Sequence, residues 1–250
     1  MKIKKVPREN IAKRVREREA LKERYCFAKQ YGFEFVFVDE IVFSVADRIK
    51  NAWSNKNENI EFSSPITPQK SVSAVVAISK RGCLHYEIFD SFLNFSNFAN
   101  FVRELQNKFH RNRRVALFYD GLSVHKHGES QRQIYARRNW MGIMNEAYCS
   151  HLNPIEYYFA RVKKCYREKL NELLLETPNP PTNTIVKAAA NAALEELQAQ
   201  ANDLSPTIKN CEGQLLQRLS LDAFPLKPRH YDYRHEAITV RRYVQSLRRL

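Results

Sequence analysis

Three carboxylates stand at positions in this sequence from which they could share one chemical site. Asp39 ends the apolar run FVFVD, Asp120 ends the apolar run ALFYD, and Glu156 follows Asn153-Pro154 at the start of a further segment. Carboxylates at the ends of central strands stand where α/β sheets place their sites. Three convergent carboxylates without Cys or His companions form an all-oxygen ligand set, which favours Mg²⁺ or Mn²⁺ over zinc.

Such a site fits phosphodiester chemistry. Two divalent ions about 3.5–4 Å apart can hold a scissile phosphate, activate the attacking oxygen and stabilise the leaving oxygen. The residues alone leave another interpretation open, because an acid after a strand is often only a turn residue. Asn153-x-x-Glu156 is also a capping box, in which the Glu156 side chain bonds back to the helix start and binds no metal.

The elements that must position these acids alternate between strands and helices. Continuous apolar runs at 33–40 and 115–120 predict strands buried on both faces. Segments 71–79 and 83–89 predict a β-hairpin with Gly82 in its turn. Asn at the N-cap followed by Pro predicts a helix from 154 onward. Further helices are predicted at 8–30, 95–109, 129–139, 184–203 and 206–220, a short strand at 141–144, and a loop at 51–70.

This order predicts an α/β domain, a mixed β-sheet flanked by helices. Residues 1–30 are predicted to form a basic helical N-terminal segment, and residues 31–176 the domain that carries the three acids. The Pro-rich stretch TPNPPTN at 177–183 predicts a linker. Residues 177–250 are therefore expected to form a separate, helical and basic C-terminal extension.

The chain is strongly basic, with a net charge of +14 over 250 residues. Residues 1–30 carry 11 basic side chains against 4 acidic ones, and residues 227–250 carry 7 against 2. An excess of this kind favours a polyanionic partner such as nucleic acid, although a solvated surface is the alternative.

The composition excludes several other classes of site. The 5 cysteines form no CxxC pair, which gives no zinc signature and suits a reducing compartment. Glycine is scarce, at 6 residues, and neither GxGxxG nor GxxxxGK is present. Because no stretch approaches 18 apolar residues, we expect an intracellular protein without a membrane span.

Four sequence blocks resemble the mariner-like group of DDE transposases and their bacterial insertion-sequence relatives. The blocks are FVFVDE (35–40), SVSAVVAISKRGCLHYEIF (71–89), ALFYDGLSVHKH (116–127) and HLNPIEYYFARVKK (151–164). The resemblance covers roughly residues 8–172, and the 35 residues between Asp120 and Glu156 are a spacing that this family uses.

The resemblance implies an RNase H-like fold in which Asp39, Asp120 and Glu156 are the catalytic residues and bind two Mg²⁺ or Mn²⁺ ions. It implies metal-dependent strand cleavage and strand transfer at transposon ends, with double-stranded DNA as partner, both the terminal inverted repeats and the target. A homodimer is expected, because two transposon ends must be brought together. The supporting residues that the matched blocks suggest are Glu40, His125 and Asn153, and for His125 a packing or phosphate-contact role stands beside a catalytic one.

The sequence departs from the family pattern in three places. Gly121 stands where Asn is usual, and the run at 147–151 replaces the usual Pro-Tyr-Ser-Pro-Asp. Only about 30 residues precede the first predicted strand, fewer than two helix-turn-helix modules need. End recognition is therefore expected from a separate helix-turn-helix polypeptide or from the basic segments.

Basic and aromatic side chains outside the acids carry weaker expectations. The DNA-binding candidates are Lys163, Lys164, Arg167, Arg241 and Arg242, with a solvated face or contact with a partner subunit as the alternatives. The pair His125-x-His127 is expected to lie on the surface rather than to bind metal. Trp53 is expected to pack within its loop.

Three functional hypotheses follow. The first is the catalytic domain of a DNA transposase. The second is a domesticated, catalytically inactive DNA-binding or assembly protein of the same fold, and the third is a structure-selective nuclease that hydrolyses without strand transfer. The expected location is the nucleus in a eukaryotic host, or the cytoplasm and nucleoid in a bacterial one.

Overall fold

A computed structural model describes residues 8–47, 71–145, 152–176, 182–200 and 203–218. The strands within these ranges are β1 Glu34–Phe43, β2 Val72–Ser79, β3 Gly82–Phe89, β4 Val115–Tyr119 and β5 Trp140–Met144. The helices are α1 Arg8–Gln30, α2 Phe95–Asn107, α3 Ser123–Lys126, α4 Gly128–Ile134, α5 Ile155–Glu176, α6 Thr182–Ala199 and α7 Ser205–Arg218, with a 3₁₀ turn at Val45–Asp47. The predicted mixed sheet flanked by helices is confirmed.

The five strands form one sheet in the order β3-β2-β1-β4-β5. The hairpin β2–β3 and the pair β1–β2 are antiparallel, whereas β1–β4 and β4–β5 are parallel. Gly82 begins β3 with a φ of 105°, a conformation that favours glycine, as its predicted turn position requires. Because parallel strands run the same way, β1, β4 and β5 begin at one edge of the sheet and proceed toward the other.

Strand β1 is longer than the run at 33–40 predicted, so Asp39 lies inside the strand rather than at its end. The pairing of β1 with β4 stops at Phe37, whereas the pairing with β2 continues to Phe43. Asp39 therefore pairs with Val76 on the β2 side and lies beyond the last paired residue on the β4 side.

Alternating side chains give the sheet two buried faces, as expected for strands without a solvent face. Phe37, Ile41 and Phe43 of β1 pack in one core with buried side chains of α1, α5, α6 and α7. Val36 and Val38 pack in a second core with buried side chains of α2 and α4. Asp39 thus belongs to the α5 face, and Glu40 to the α2 face.

The prediction of a separate C-terminal extension is wrong for helix α6, which packs on the rest of the domain. Its buried side chains, Ile185, Val186, Ala189, Ala190, Ala193 and Leu194, share one core with the sheet and α5. Small alanines allow a helix to approach its neighbours closely, which explains why an Ala-rich helix fits here. The Tyr86 hydroxyl of β3 also donates to the Asn191 side chain at 3.2 Å. The domain boundary near residue 177 stays a prediction.

The other predicted helices and strands within the described residues are confirmed, although their first and last residues differ from those predicted. The helix predicted at 129–139 ends at Ile134, because Arg137–Asn139 are tied to the segment before β4 and turn the chain into β5. Among the described helices, none has the combined length and apolarity that crossing a bilayer requires. The predicted loop with Trp53, most of the predicted linker, the run at 147–151 and the basic tail lie outside the described residues.

Candidate active site

The sheet register brings the two aspartates together. The last parallel pair between β1 and β4 is Phe37 with Phe118. Asp39 and Asp120 each lie two positions further along the chain, Asp39 within β1 and Asp120 just after β4. Since alternate side chains share a face, both aspartates follow phenylalanines of the α5 face. The parallel pairing of two apolar strands therefore places Asp39 beside Asp120.

Asp39 is held by two donors. Its Oδ1 accepts from the Glu40 backbone N–H at 2.8 Å, and its Oδ2 accepts from the Asn153 side-chain amide at 3.2 Å. Burial raises the pKa of Asp39 to about 7, and the neighbouring charges of Asp120, Glu40 and Glu156 add to this rise. The negative charges of Asp120, Glu40 and Glu156 therefore all disfavour ionisation of Asp39.

Glu156 enters this space from the first turn of α5. The Asn153 side chain accepts from the Ile155 N–H at 3.4 Å, and the Asn153 carbonyl accepts from the Glu156 N–H at 3.2 Å, so Asn153 caps the helix. Within the described part of the chain, the Glu156 carboxylate makes no hydrogen bond or ion pair. The reciprocal bond of a capping box is thus not formed, and the carboxylate oxygens remain available as ligands.

His125 joins Asp120 to Glu40 across the end of the sheet. Its Nδ1 lies 2.8 Å from Asp120 Oδ1, and its Nε2 lies 3.0 Å from Glu40 Oε1. Burial lowers the pKa of His125, but the hydrogen bonds to Asp120 and Glu40 outweigh it and raise that pKa to about 10. The imidazolium thus donates to both carboxylates and fixes the Asp120 side chain.

The expectation that His125 and His127 form a surface pair was wrong for His125, which is 0% exposed. Its ring packs against Phe98 at 4.4 Å and against Tyr119 at 5.5 Å between ring centroids. His127 is exposed and stacks on Phe95. The apolar α2 face covers the His125 ring because α3 turns it inward.

Asp120 stays fixed although Gly121 replaces the usual Asn. The Leu122 N–H donates to Asp120 Oδ1 at 3.1 Å, in addition to the His125 contact. A Cβ at Gly121 would approach the end of the flexible Lys126 side chain at 3.1 Å, so the backbone there does not require glycine. The two contacts on Asp120 do not depend on a side chain at this position.

Two of the basic candidates on α5 hold the structure rather than project freely. Lys163 donates to Asp47 Oδ2 at 2.6 Å and to the Val42 carbonyl, and Arg167 donates to the Asp47 carbonyl at 3.1 Å. They fasten the end of β1 to α5. Lys164 is exposed, whereas Arg241 and Arg242 lie outside the described residues, and DNA contact by any of these residues stays a prediction.

The donor set suits a hard divalent cation. No group of three or more His, Cys, Asp or Glu side chains in the described ranges is arranged, as the side chains stand, to hold one ion. Nevertheless Asp39, Asp120 and Glu156 supply only oxygen donors, and the charges of Asp120 and Glu156 already act on half-buried Asp39. A cation between them would offset this repulsion, so the residues fit Mg²⁺ or Mn²⁺.

The sequence indicates Glu40, His125 and Asp120 as site residues, but it does not indicate that His125 contacts both carboxylates. Glu40 and His125 lie 85 positions apart, and their contact depends on where α3 docks. The available signal was strand alternation, which turns Glu40 to the face opposite Asp39.

Comparison with known proteins agrees with this architecture. A family model described as DDE superfamily endonuclease matches residues 34–173. The Mos1 strand transfer complex is similar with a TM-score of 0.58 and 19% identity, covering 90% of this chain and 68% of that one. The catalytic domain of Mos1 mariner transposase gives a TM-score of 0.55 and 16% identity, covering 91% and 100%.

At these identities the structural similarity establishes the fold, which is that of the RNase H-like Mos1 catalytic domain. A search of curated proteins finds no match. The family model spans more than half of the chain, from β1 into α5, and includes all three acids. The chain therefore belongs to the DDE superfamily endonucleases.

Proposed function

We propose that this chain is the catalytic domain of a DNA transposase that cleaves DNA at transposon ends and joins the freed strands to target DNA. The observation that carries the proposal is the parallel register of β1 and β4, in which half-buried Asp39 and Asp120 both follow the pair Phe37–Phe118, with Glu156 close enough for its charge to act on Asp39. Membership of the endonuclease family supports the cleavage step. Similarity to a strand transfer complex supports the joining step.

The three acids would hold two Mg²⁺ or Mn²⁺ ions, which, when bound, supply an activated water or 3′-hydroxyl and stabilise the leaving oxygen. Asn153 orients the Asp39 carboxylate through one oxygen, and His125 orients the Asp120 carboxylate. Contacts that orient ligands in this way fix their geometry and raise their affinity for the ion.

The proposed partners are duplex DNA carrying terminal inverted repeats, target DNA and a second copy of the chain. A net charge of +14 favours association with DNA by releasing counterions from the phosphates. Solved Mos1 relatives include a paired-end complex with the left transposon end and catalytic-domain structures with Mg or Mn. By analogy, we propose an intracellular site of action where host DNA is accessible.

A supercoiled-plasmid nicking assay with Mn²⁺ tests the cleavage step. We expect Asp120→Ala to reduce the nicking rate by more than the roughly 10–100-fold typical of changes beside a metal ligand. Asp90→Ala is the matched control, because Asp90 is an exposed aspartate paired with Lys187 on α6. Equal nicking by wild type and Asp120→Ala would refute the proposal.

A joining assay separates a transposase from a nuclease of the same fold. Labelled duplexes with pre-cleaved 3′-hydroxyl ends are incubated with plasmid, protein and Mn²⁺, and covalent transfer of label to plasmid is measured. Nicking without any transfer would favour the structure-selective nuclease. Absence of Mn²⁺ binding by calorimetry at millimolar metal would favour the inactive DNA-binding alternative.

A further inference from the structure

Two arginine-rich segments meet at the edge of the sheet where β4 and β5 begin, at the opposite end of β4 from Asp120. The parallel pair of Val115 with Trp140 starts both strands together, so the residues before each strand lie side by side. These residues, Arg111, Asn112, Arg114, Arg137, Arg138 and Asn139, line an open cavity of about 570 Å³ and are called here the amino-edge patch.

The amino-edge patch is held in shape by hydrogen bonds between its two segments. The Asn139 side-chain amide donates to the Arg111 carbonyl at 2.8 Å and also to the Arg113 carbonyl. The Val115 N–H donates to the Asn139 carbonyl at 3.0 Å. Arg137 is fixed by the Phe109 carbonyl at 3.2 Å. A rigid site loses less conformational entropy when it binds a ligand.

The positive charges of three patch arginines, Arg111, Arg114 and Arg137, are not neutralised by carboxylates within the described ranges. Arg114 donates to the neutral Tyr31 carbonyl at 2.9 Å. Neighbouring Arg113, by contrast, pairs with buried Glu34 at 2.8 Å and does not line the patch. The patch therefore presents arginines to solvent, and arginine matches phosphate geometry through paired N–H donors.

We propose that the amino-edge patch binds the phosphate backbone of duplex DNA, as a contact distinct from the acid site. Single-stranded DNA is normally held by stacking on aromatic side chains, and the lining consists only of Arg and Asn. This inference rests on the proposed function only in taking DNA as the polyanion.

The two sites are close enough for one duplex to reach both. The five steps along the chain from Val115 to Asp120 span about 17 Å at roughly 3.3 Å each. That distance corresponds to about five base pairs at 3.4 Å each. DNA phosphates held at the patch would thus position the duplex within one helical turn of the acids.

Salt-dependent DNA binding tests the patch without using the acid site. The affinity of a fluorescent 30-base-pair duplex is measured by anisotropy in EDTA, between 50 and 200 mM NaCl. We expect Arg111→Gln/Arg114→Gln to weaken binding on the order of tenfold and to reduce the slope of log affinity against log salt by about 1.8. Arg111→Gln alone should reduce that slope by about 0.9.

The matched control is Lys169→Gln/Lys187→Gln, which removes the same net charge from α5 and α6. The control should keep the wild-type slope, and thermal melts should show that both double variants stay folded. Equal slopes for the patch variant and wild type, or equal losses in both variants, would overturn the proposal. Tighter binding of single-stranded DNA or duplex RNA than of duplex DNA would overturn it also.

The outcome is independent of catalysis, because EDTA removes the metal. A change of slope in the patch variant, in a protein that does not nick plasmid, would support DNA binding by the patch and count against the proposed function. Nicking by a protein whose patch variant shows no change of slope would support the proposed function and count against DNA binding by the patch.

Discussion

At the scale of single residues, the acids that would bind metal also lower the stability of the metal-free protein, because they repel one another. Asp39 is half-buried, and three acidic neighbours act on it. Burying a charge beside like charges is unfavourable unless a cation compensates it. The hydrogen bonds from Glu40 and Asn153 offset part of this cost but add no positive charge. The metal-free protein is therefore less stable than its packing would otherwise allow.

Replacing Asp39 by Asn should raise the melting temperature of the metal-free protein, because the charge that it removes lies beside three other acids, and this gain exceeds the cost of losing one of the two hydrogen bonds that Asp39 accepts. A gain of roughly 1–2 kcal/mol corresponds to about 2–8 °C for a domain of this size. The measurement is a thermal melt at pH 8 in EDTA. The same variant should lose the stabilisation that Mn²⁺ gives the wild type, since binding to the native state is what raises the melting temperature.

Asp90→Asn, an exposed aspartate paired with Lys187, should change neither melt. A metal-free Asp39→Asn protein that melts at or below the wild-type temperature would contradict the argument for electrostatic strain.

The acids themselves could be predicted from the sequence, because their residue types and neighbouring runs are visible in the chain. Apolar runs that end in Asp39 and Asp120, and the Asn153-Pro154 helix start, identify all three acids as candidates. The hydrogen bonds of His125 could not be predicted, because they depend on tertiary docking of α3. A histidine two residues from another histidine has the same sequence pattern on a surface as in a core.

At the scale of elements, the order of strands and helices was predictable, but the packing of the last helices was not. Hydrophobic periodicity identifies α6, and the preceding Pro-rich stretch suggests a separate unit. Only the structure shows that α6 lies on the sheet and α5 and buries Ala190 and Leu194. Periodicity shows that a helix has an apolar face but does not identify what that face covers.

Leu194→Ala should lower the stability of the whole domain by about 2–5 kcal/mol, because Leu194 is fully buried in the core shared with the sheet. Chemical denaturation followed by circular dichroism measures this change. Leu175→Ala is the control, since Leu175 on α5 is 88% exposed and should leave stability nearly unchanged. An unaltered main transition in Leu194→Ala would mean that α6 folds independently.

At the scale of the whole molecule, the parallel strands separate opposite charges onto opposite edges of one sheet. Two of the three acids lie on or just after β1 and β4, toward the edge where these strands end, and the amino-edge patch precedes β4 and β5. Linear charge counts missed this division, since they place the basic excess at the chain ends. Segments 110–114 and 136–139 become one surface only through the pairing of β4 with β5.

This separation predicts that metal binding and DNA binding can be lost independently. Asp120→Asn should abolish Mn²⁺ binding in calorimetry, yet bind duplex DNA in EDTA at least as tightly as wild type, because it removes a negative charge that repels phosphates. Arg111→Gln/Arg114→Gln should show the opposite result, with Mn²⁺ affinity kept and DNA affinity reduced. The two sites are about 17 Å apart, beyond the Debye length of about 8 Å at physiological salt, so neither substitution should act on the other site through direct charge. Loss of both activities in either variant would mean that the two edges form a single site rather than two.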